Sequence, residues 1–153
     1  DPWLASIMSA AMTKGFQGDD LSAPNTIAAC AKHYVAYGAA EGGRDYDTAI
    51  VPEYLLRELY LPPFKASVDA GVATIMTAFN EINGVPASGH EYLPRDVLKE
   101  EWGFSGVVVS DWRSMEEMIA HGYSKDMEQV AEQSVAAGVD MEMQSDAYAA
   151  YLL

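Results

Sequence analysis

The stretch Gly106-Val107-Val108-Val109-Ser110-Asp111-Trp112 constrains the fold more than any other part of this chain. Three successive β-branched residues do not alternate apolar with polar. The pattern is therefore that of a strand covered on both faces, as in a parallel sheet. An acid follows directly, then a large aromatic with a flat apolar face. In α/β proteins the groups that meet ligands sit at the C-terminal ends of parallel strands, which is where Asp111 falls. A plainer local reading is that Asp111 only caps a helix beginning near Ser114.

The rest of the chain repeats that unit. Asp1 is placed to cap a helix with Pro2 in its first turn. Leu4, Ile7, Met8, Ala11 and Met12 share one apolar face before Gly15 and Gly18 end it. A polar loop from Asp19 to Asn25 leads into an apolar run, residues 27–37, read as a strand. Residues 38–47 hold three glycines and mixed charge, the composition of a long functional loop. Pro52 opens a helix expected to bury Leu55, Leu56 and Leu59, and Pro62-Pro63 must kink or break it before residues 64–70. Residues 73–79 form the second strand, Asn83-Gly84 supplies a turn, and residues 93–102 form a helix with Leu93, Val97 and Leu98 inward. A third strand over 106–110 is followed by a short helix over 114–120. Met127, Val130, Ala131, Ser134 and Val135 mark another helix, ended by Gly138. Residues 139–143 are the fourth strand, and the chain stops in a helix.

Strand and helix alternate without hairpin signals, and the last three strands begin 33 residues apart. That predicts a parallel sheet of βα units. The fold class is α/β: a partial (β/α)8 TIM-type barrel of about four parallel βα units, or else a doubly wound sheet. Four strands cannot close an eight-stranded barrel, so residues 1–153 are expected to be a single incomplete domain. The opening on Asp1-Pro2 and the Tyr/Ala/Leu-rich end are expected to be cuts from something longer.

Composition removes several function classes. Acids outnumber bases 23 to 9, a net charge of −14 that argues against nucleic acid or an anionic membrane as partner. No apolar run is long enough to span a bilayer. The single cysteine, Cys30, excludes an internal disulfide and any multi-cysteine metal site, and its apolar neighbours predict a buried, inert thiol. His33, His90 and His121 lack metal-ligand spacing, and the last two read as surface loop residues. There is no GxGxxG, phosphate loop or GxSxG, and Glu41-Gly42-Gly43-Arg44 opens no strong helix. Neither a metal nor a cofactor is called for.

Polar residues gather at the strand ends instead: Lys32-His33-Tyr34, then Arg44-Asp45-Tyr46 in the glycine-rich loop; Met76, Phe79 and Asn80; Asp111 and Trp112; Asp140 and Glu142. Lys32 and His33 have apolar neighbours, which disfavours full solvent exposure. Adjacent strand residues point to opposite faces, so both reach one pocket only if the strand ends or bends there.

Three runs together carry a resemblance. They are Ala31-Lys32-His33-Tyr34 through Gly42-Gly43-Arg44-Asp45-Tyr46, Ile75-Met76-Thr77-Ala78-Phe79-Asn80 through Asn83-Gly84-Val85-Pro86-Ala87, and Leu98 through Trp102-Gly103-Phe104 to Ser110-Asp111-Trp112. In order and spacing they resemble glycoside hydrolase family 3, most of all its bacterial β-glucosidase-like members, along nearly all of the chain. The resemblance implies a piece of the barrel domain of a retaining, exo-acting β-glycosidase, in first place a β-glucosidase. A β-xylosidase or another β-glycosidase of the family is the alternative, and a non-catalytic carbohydrate-binding or scaffold protein is the rival from another class.

By the same resemblance Asp111 matches the catalytic nucleophile. Lys32 and His33 match a pair that binds sugar hydroxyls, and Arg44 a third polar contact. Met76 matches a pocket-lining residue and Trp112 an aromatic wall near the aglycone. Phe79 stands where many members have tyrosine, so a contact through that hydroxyl is lost. The implied partner is an oligosaccharide or aryl β-glycoside, and the implied compartment of the parent is periplasmic or secreted. The family's general acid lies in a following α/β sandwich domain, and an aspartate and an arginine lie upstream; none is in this sequence. Glu41, Glu81, Asp140 and Glu142 are acid candidates by composition alone. No histidine falls between Gly38 and Asp47, which argues against the branch that cleaves N-acetylglucosaminides.

Overall fold

The computed structural model describes residues 1–152. Its strands are β1 (Cys30–Tyr34), β2 (Thr74–Thr77), β3 (Glu81–Ile82), β4 (Val85–Pro86), β5 (Val107–Trp112) and β6 (Met141–Met143). The main sheet runs β1-β2-β5-β6 with every neighbouring pair parallel. A doubly wound sheet reverses its strand order at a switch point. Here each strand adds on the same side as the last, so the sheet is an arc of a barrel and its two outer strands are edges among the described residues. Gly106 is required where β5 joins: a side-chain carbon there would clash with the Ala73 carbonyl oxygen. Behind the arc, Ile75, Val108, Leu98 and Val130 are fully buried against the helices.

The sequence expectation of no hairpins is corrected by β3 and β4, a short antiparallel pair lying outside the main sheet. Asn83 (φ 53°) and Gly84 (φ 88°) form its turn, the left-handed pair that a two-residue hairpin demands. It arises inside the β2-to-helix connection and leaves the parallel topology intact.

The helices follow the expected boundaries, but two packing expectations fail. Helix α1 (Pro2–Gln17) is capped by Asp1 Oδ1, which accepts the Trp3 and Leu4 N–H groups at 2.8 and 3.1 Å. It docks on α3 (Pro62–Asp69) through its polar face. Ser9 Oγ donates to the Pro63 backbone carbonyl at 2.6 Å, and the side-chain Oε1 of Gln17 accepts from Ala29 and Ala73 N–H at the starts of β1 and β2. Leu4, Ile7, Met8 and Met12, the apolar face read from the sequence, are exposed. Similarly, α2 (Glu53–Leu55) runs on into wide i→i+5 turns over Leu56–Tyr60, with Leu61 N–H bonded to the Leu56 carbonyl at 2.8 Å. Wider turns stack Leu56 over Leu61 rather than over Leu59, so Leu61 is buried and Leu59 is exposed. Pro62 then starts α3 at a position that needs no N–H.

The same wide turns build the helix Tyr92–Glu101, with Leu93, Val97 and Leu98 inward as expected. Helices α4 (Ser114–Ala120) and α5 (Met127–Ala137) end at His121 and at left-handed Gly138, and α6 (Ala147–Tyr151) closes the described chain. Cys30 is exposed, against the expectation of a buried thiol, because it lies on the edge strand of the arc. No helix among the described residues is long and apolar enough to cross a membrane.

Candidate active site

Two strand irregularities build the site. Between β1 and β2 the register passes from Ala31↔Ile75 to Tyr34↔Thr77, so β1 spends three steps where β2 spends two. Between β5 and β6 it passes from Val109↔Met141 to Trp112↔Met143, with the same single extra residue in β5. The two bulges fall on Lys32-His33 and on Ser110-Asp111. A bulge re-aims a side chain that regular alternation would send to the other face. That is a bend of the kind the sequence required, but it brings only His33 to Asp111; Lys32 lines a separate cleft beside α1 and α3. The β5 bulge is held by Ser110, whose Oγ accepts the Met143 N–H at 2.8 Å.

His33 and Asp111 meet as a result. His33 Nε2 lies 3.3 Å from Asp111 Oδ2. They are not hydrogen-bonded, and Oδ2 is buried with no hydrogen-bond partner among the described residues. Asp111 Oδ1 accepts the Trp112 N–H at 2.6 Å. The carboxylate is thus 7% exposed, with one oxygen held and the other bare beside a half-buried imidazole. The reading of Asp111 as a helix cap does not hold: the cap of α4 is Arg113, in left-handed backbone, with no side-chain hydrogen bond.

Burial pushes the His33 imidazole below its ordinary value. Lys32 pushes it the same way, while Asp111 and Asp45 pull it up without overcoming burial. The ring facing Asp111 is therefore neutral at neutral pH. Lys32 is exposed, against the expectation from its apolar neighbours, and its charge reaches His33. Met76 is buried on β2, paired in register with Val109 two residues before the acid. Phe79 packs between Tyr37 and Tyr46, at ring centroid distances of 6.2 and 4.6 Å. Trp112 is 56% exposed.

Arg44 is not brought to the acid in this conformation. Its side chain is 80% exposed and reaches only Asp47, at 4.0 Å, because the loop between β1 and α2 directs it outward. His90 is also corrected: its Nδ1 is buried and its ring lies beside Tyr92, so it is no surface loop residue. Three of the acids named by composition have structural partners. Asp140 holds Lys99 and the Val108 N–H, Glu142 accepts two N–H groups at the start of α6, and Glu81 bonds Thr48.

Two neighbours of the site were not singled out from sequence. Tyr37 lies against His33, 5.2 Å between ring centroids, and its hydroxyl donates to Asp45. This pairing across the glycine-rich loop has no periodic signature. Glu117, on α4, has a buried Oε2 with no partner, and burial first, then Asp111, pushes its carboxyl up. In sequence it is one of two adjacent acids on a helix, which reads as a solvated face. Glu117 lines a cleft of about 340 Å³ with Tyr46, Trp112, Arg113, Glu116 and Ala120. Among the described residues no cluster of three or more His, Cys, Asp or Glu is placed to hold a metal ion.

A one-way arc of parallel βα units, with its acid and imidazole converging at the strand ends, is the layout of part of a (β/α) barrel. The chain belongs to glycosyl hydrolase family 3: the family's N-terminal domain matches residues 1–152. It is 41% identical to a periplasmic beta-glucosidase of Salmonella typhimurium over 152 residues, 99% of this chain and 20% of that protein. It is 36% identical to a beta-xylosidase of Formosa agariphila, covering 94% of this chain and 20% of that protein. Among solved structures, the beta-glucosidase of Listeria innocua in complex with isofagomine superposes with a TM-score of 0.97 at 42% identity, over 99% of this chain and 22% of that one. The chain therefore spans about one fifth of the length of these relatives.

Proposed function

We propose that this segment supplies the nucleophile and part of the sugar-binding pocket of a retaining, exo-acting β-glycosidase, in first place a β-glucosidase. The observation that carries the reading is the Asp111 carboxylate. One oxygen is held by the Trp112 N–H, and the other is bare and aimed into the site beside His33. A retaining glycosidase needs such an oxygen to attack the anomeric carbon as the bond to the aglycone breaks. The proton for the departing oxygen comes, in this reading, from an acid outside these residues, and water then releases the sugar from Asp111.

His33 and Lys32 are the donors for sugar hydroxyls and hold the ring in place for attack. Met76, Phe79 and Trp112 are the apolar lining. Arg44 joins them only if its loop turns inward. The names of the relatives support the β-glucosidase reading first, and the Formosa agariphila relative supports β-xylosidase as the second. In the same reading, further barrel strands continue from the edges of β1 and β6, and a second domain brings the acid.

The test is to treat the full-length protein that carries these residues with an activated 2-deoxy-2-fluoro-β-glucoside and map the labelled peptide. Stoichiometric label on Asp111, with the β-anomer as first product of normal turnover, is expected. Label on another residue, or an α-anomer product, overturns the reading. Comparing kcat/KM on nitrophenyl β-glucoside and β-xyloside decides between the two sugars, and absence of turnover on either selects the binding-only alternative.

A further inference from the structure

We propose that a buried chain of three hydroxyls, Thr77–Ser88–Ser114, is a positioning device that fixes the spacing of His33 and Asp111. The inference rests on the reading of Asp111 as nucleophile. Thr77 Oγ1 lies 2.8 Å from Ser88 Oγ, and Ser88 Oγ lies 3.0 Å from Ser114 Oγ. Their residues are 0%, 1% and 4% exposed.

The chain joins the two arms of the site. Thr77, at the end of β2, is the register partner of Tyr34, the residue after His33. Ser114 opens α4, three residues after Asp111. Ser88 bridges them from a one-turn helix, Ala87–Gly89. That turn is itself fixed. Ala87 N–H donates to the Asn80 carbonyl at 3.2 Å, and Gly89 is so close to α4 that a side-chain carbon there would lie 2.8 Å from Met118 Cε.

Apolar packing alone would tolerate small sliding of α4 along β2. Hydroxyls do not, because they bond over a narrow range of distance and angle. Buried hydroxyls that lose their partners are costly, so the chain is satisfied at only one relative placement of β2, the Ala87–Gly89 turn and α4. The segment Asp111-Trp112-Arg113 is short, and Arg113 holds left-handed backbone with its N–H on the Met143 carbonyl at 2.9 Å. A shift at Ser114 is therefore passed to Asp111. None of the three hydroxyls is among the residues that would touch substrate, so they act through His33 and Asp111.

The test uses the full-length protein. Thr77→Val keeps the shape and removes the hydroxyl, while Thr77→Ser keeps the hydroxyl. The readout is the rate constant for labelling by the fluoro-glucoside, which counts only assembled sites, together with kcat and KM on an activated aryl glucoside. Thr77→Val is expected to lower the labelling rate and kcat by about ten- to a hundredfold, with KM changed less than about threefold. Thr77→Ser is expected to restore most of it. Wild-type labelling by Thr77→Val with only a lower Tm overturns the proposal, because the hydroxyls are then structural. If Thr77→Val does not fold, Ser88→Ala takes its place: a slower labelling rate supports the proposal and a wild-type rate overturns it. A dead Asp111→Gly beside a normal Thr77→Val removes this inference alone, whereas an active Asp111→Gly removes the nucleophile reading beneath it.

Discussion

Replacing Asp111 by glycine in the full-length protein tests the chemistry most directly. The carboxylate is buried, with Oδ1 on the Trp112 N–H at 2.6 Å and Oδ2 facing His33 Nε2 at 3.3 Å. In the proposed reading, removing it takes away the covalent route but leaves the Trp112 N–H and the imidazole on either side of the vacated space. We expect kcat on dinitrophenyl β-glucoside to fall by about 10⁴-fold or more, roughly 5.5 kcal/mol in the barrier. Azide fits the vacated space and should restore part of the rate, because the activated leaving group needs no acid. Attack comes from the face that Asp111 occupied, so the product should be the α-glucosyl azide. The stability of Asp111→Asn should be unchanged or higher, since the substitution keeps the shape at a carboxyl oxygen that has no partner to lose. Activity of Asp111→Gly within about tenfold of wild type, or a β-glucosyl azide product, refutes the reasoning; the second outcome would make the residue the acid/base instead.

Four further outcomes follow from the same geometry. Lys32→Ala and His33→Ala should each lower kcat/KM by about 100-fold, near 3 kcal/mol, while thermal melts move far less than for a core deletion; unfolding with unchanged activity per folded molecule would make either residue structural. Gly106→Ala should destabilise by about 1–3 kcal/mol in urea titrations, because the new carbon meets the Ala73 carbonyl, and a neutral result would mean that β2 and β5 separate easily. His33 titrates lower folded than unfolded, so the unfolded chain binds more protons and stability falls as pH drops below about 6.5. His33→Asn should flatten that slope in denaturant titrations between about pH 5 and 7, and an unaltered slope would contradict it. Residues 1–153 expressed alone should not hydrolyse cellobiose at an enzymatic rate and should exchange amide hydrogens quickly in β1 and β6, the two edge strands; a compact, active monomer would show that an acid inside this chain protonates the leaving group.

The elements were legible because their signals are local. Ser114 to Ala120 forms the expected helix, Gly138 ends the next one in left-handed backbone, and the Val107 to Val109 run is a strand between two parallel neighbours. Side-chain direction was less legible, for definite reasons. The apolar spacing on α1 is real, yet polar residues Ser9, Thr13 and Gln17 pack inward, because Gln17 satisfies backbone groups where β1 and β2 begin. Leu59 turns outward because one wide turn shifts the face by a residue. Tyr37 and Asp45 meet only because the loop folds back on itself.

The site itself depends on what periodicity hides most completely. A bulge adds one residue to one strand and leaves composition and hydrophobic run unchanged. From sequence, Lys32 and His33 looked committed to opposite faces, and Asp111 looked like a residue just past its strand. The structure places one extra residue at each location, in β1 at Lys32-His33 opposite β2 and in β5 at Ser110-Asp111 opposite β6. A displaced residue turns its side chain relative to the rows behind it. Two such displacements, one on either side of β2, bring an imidazole and a carboxylate to 3.3 Å across an intervening strand. Deleting one residue from either bulge should therefore separate His33 from Asp111 while leaving the helices in place. In the full-length protein that change should abolish labelling by the fluoro-glucoside without abolishing helical circular dichroism. Retained labelling in such a deletion would show that the bulges are incidental to the site.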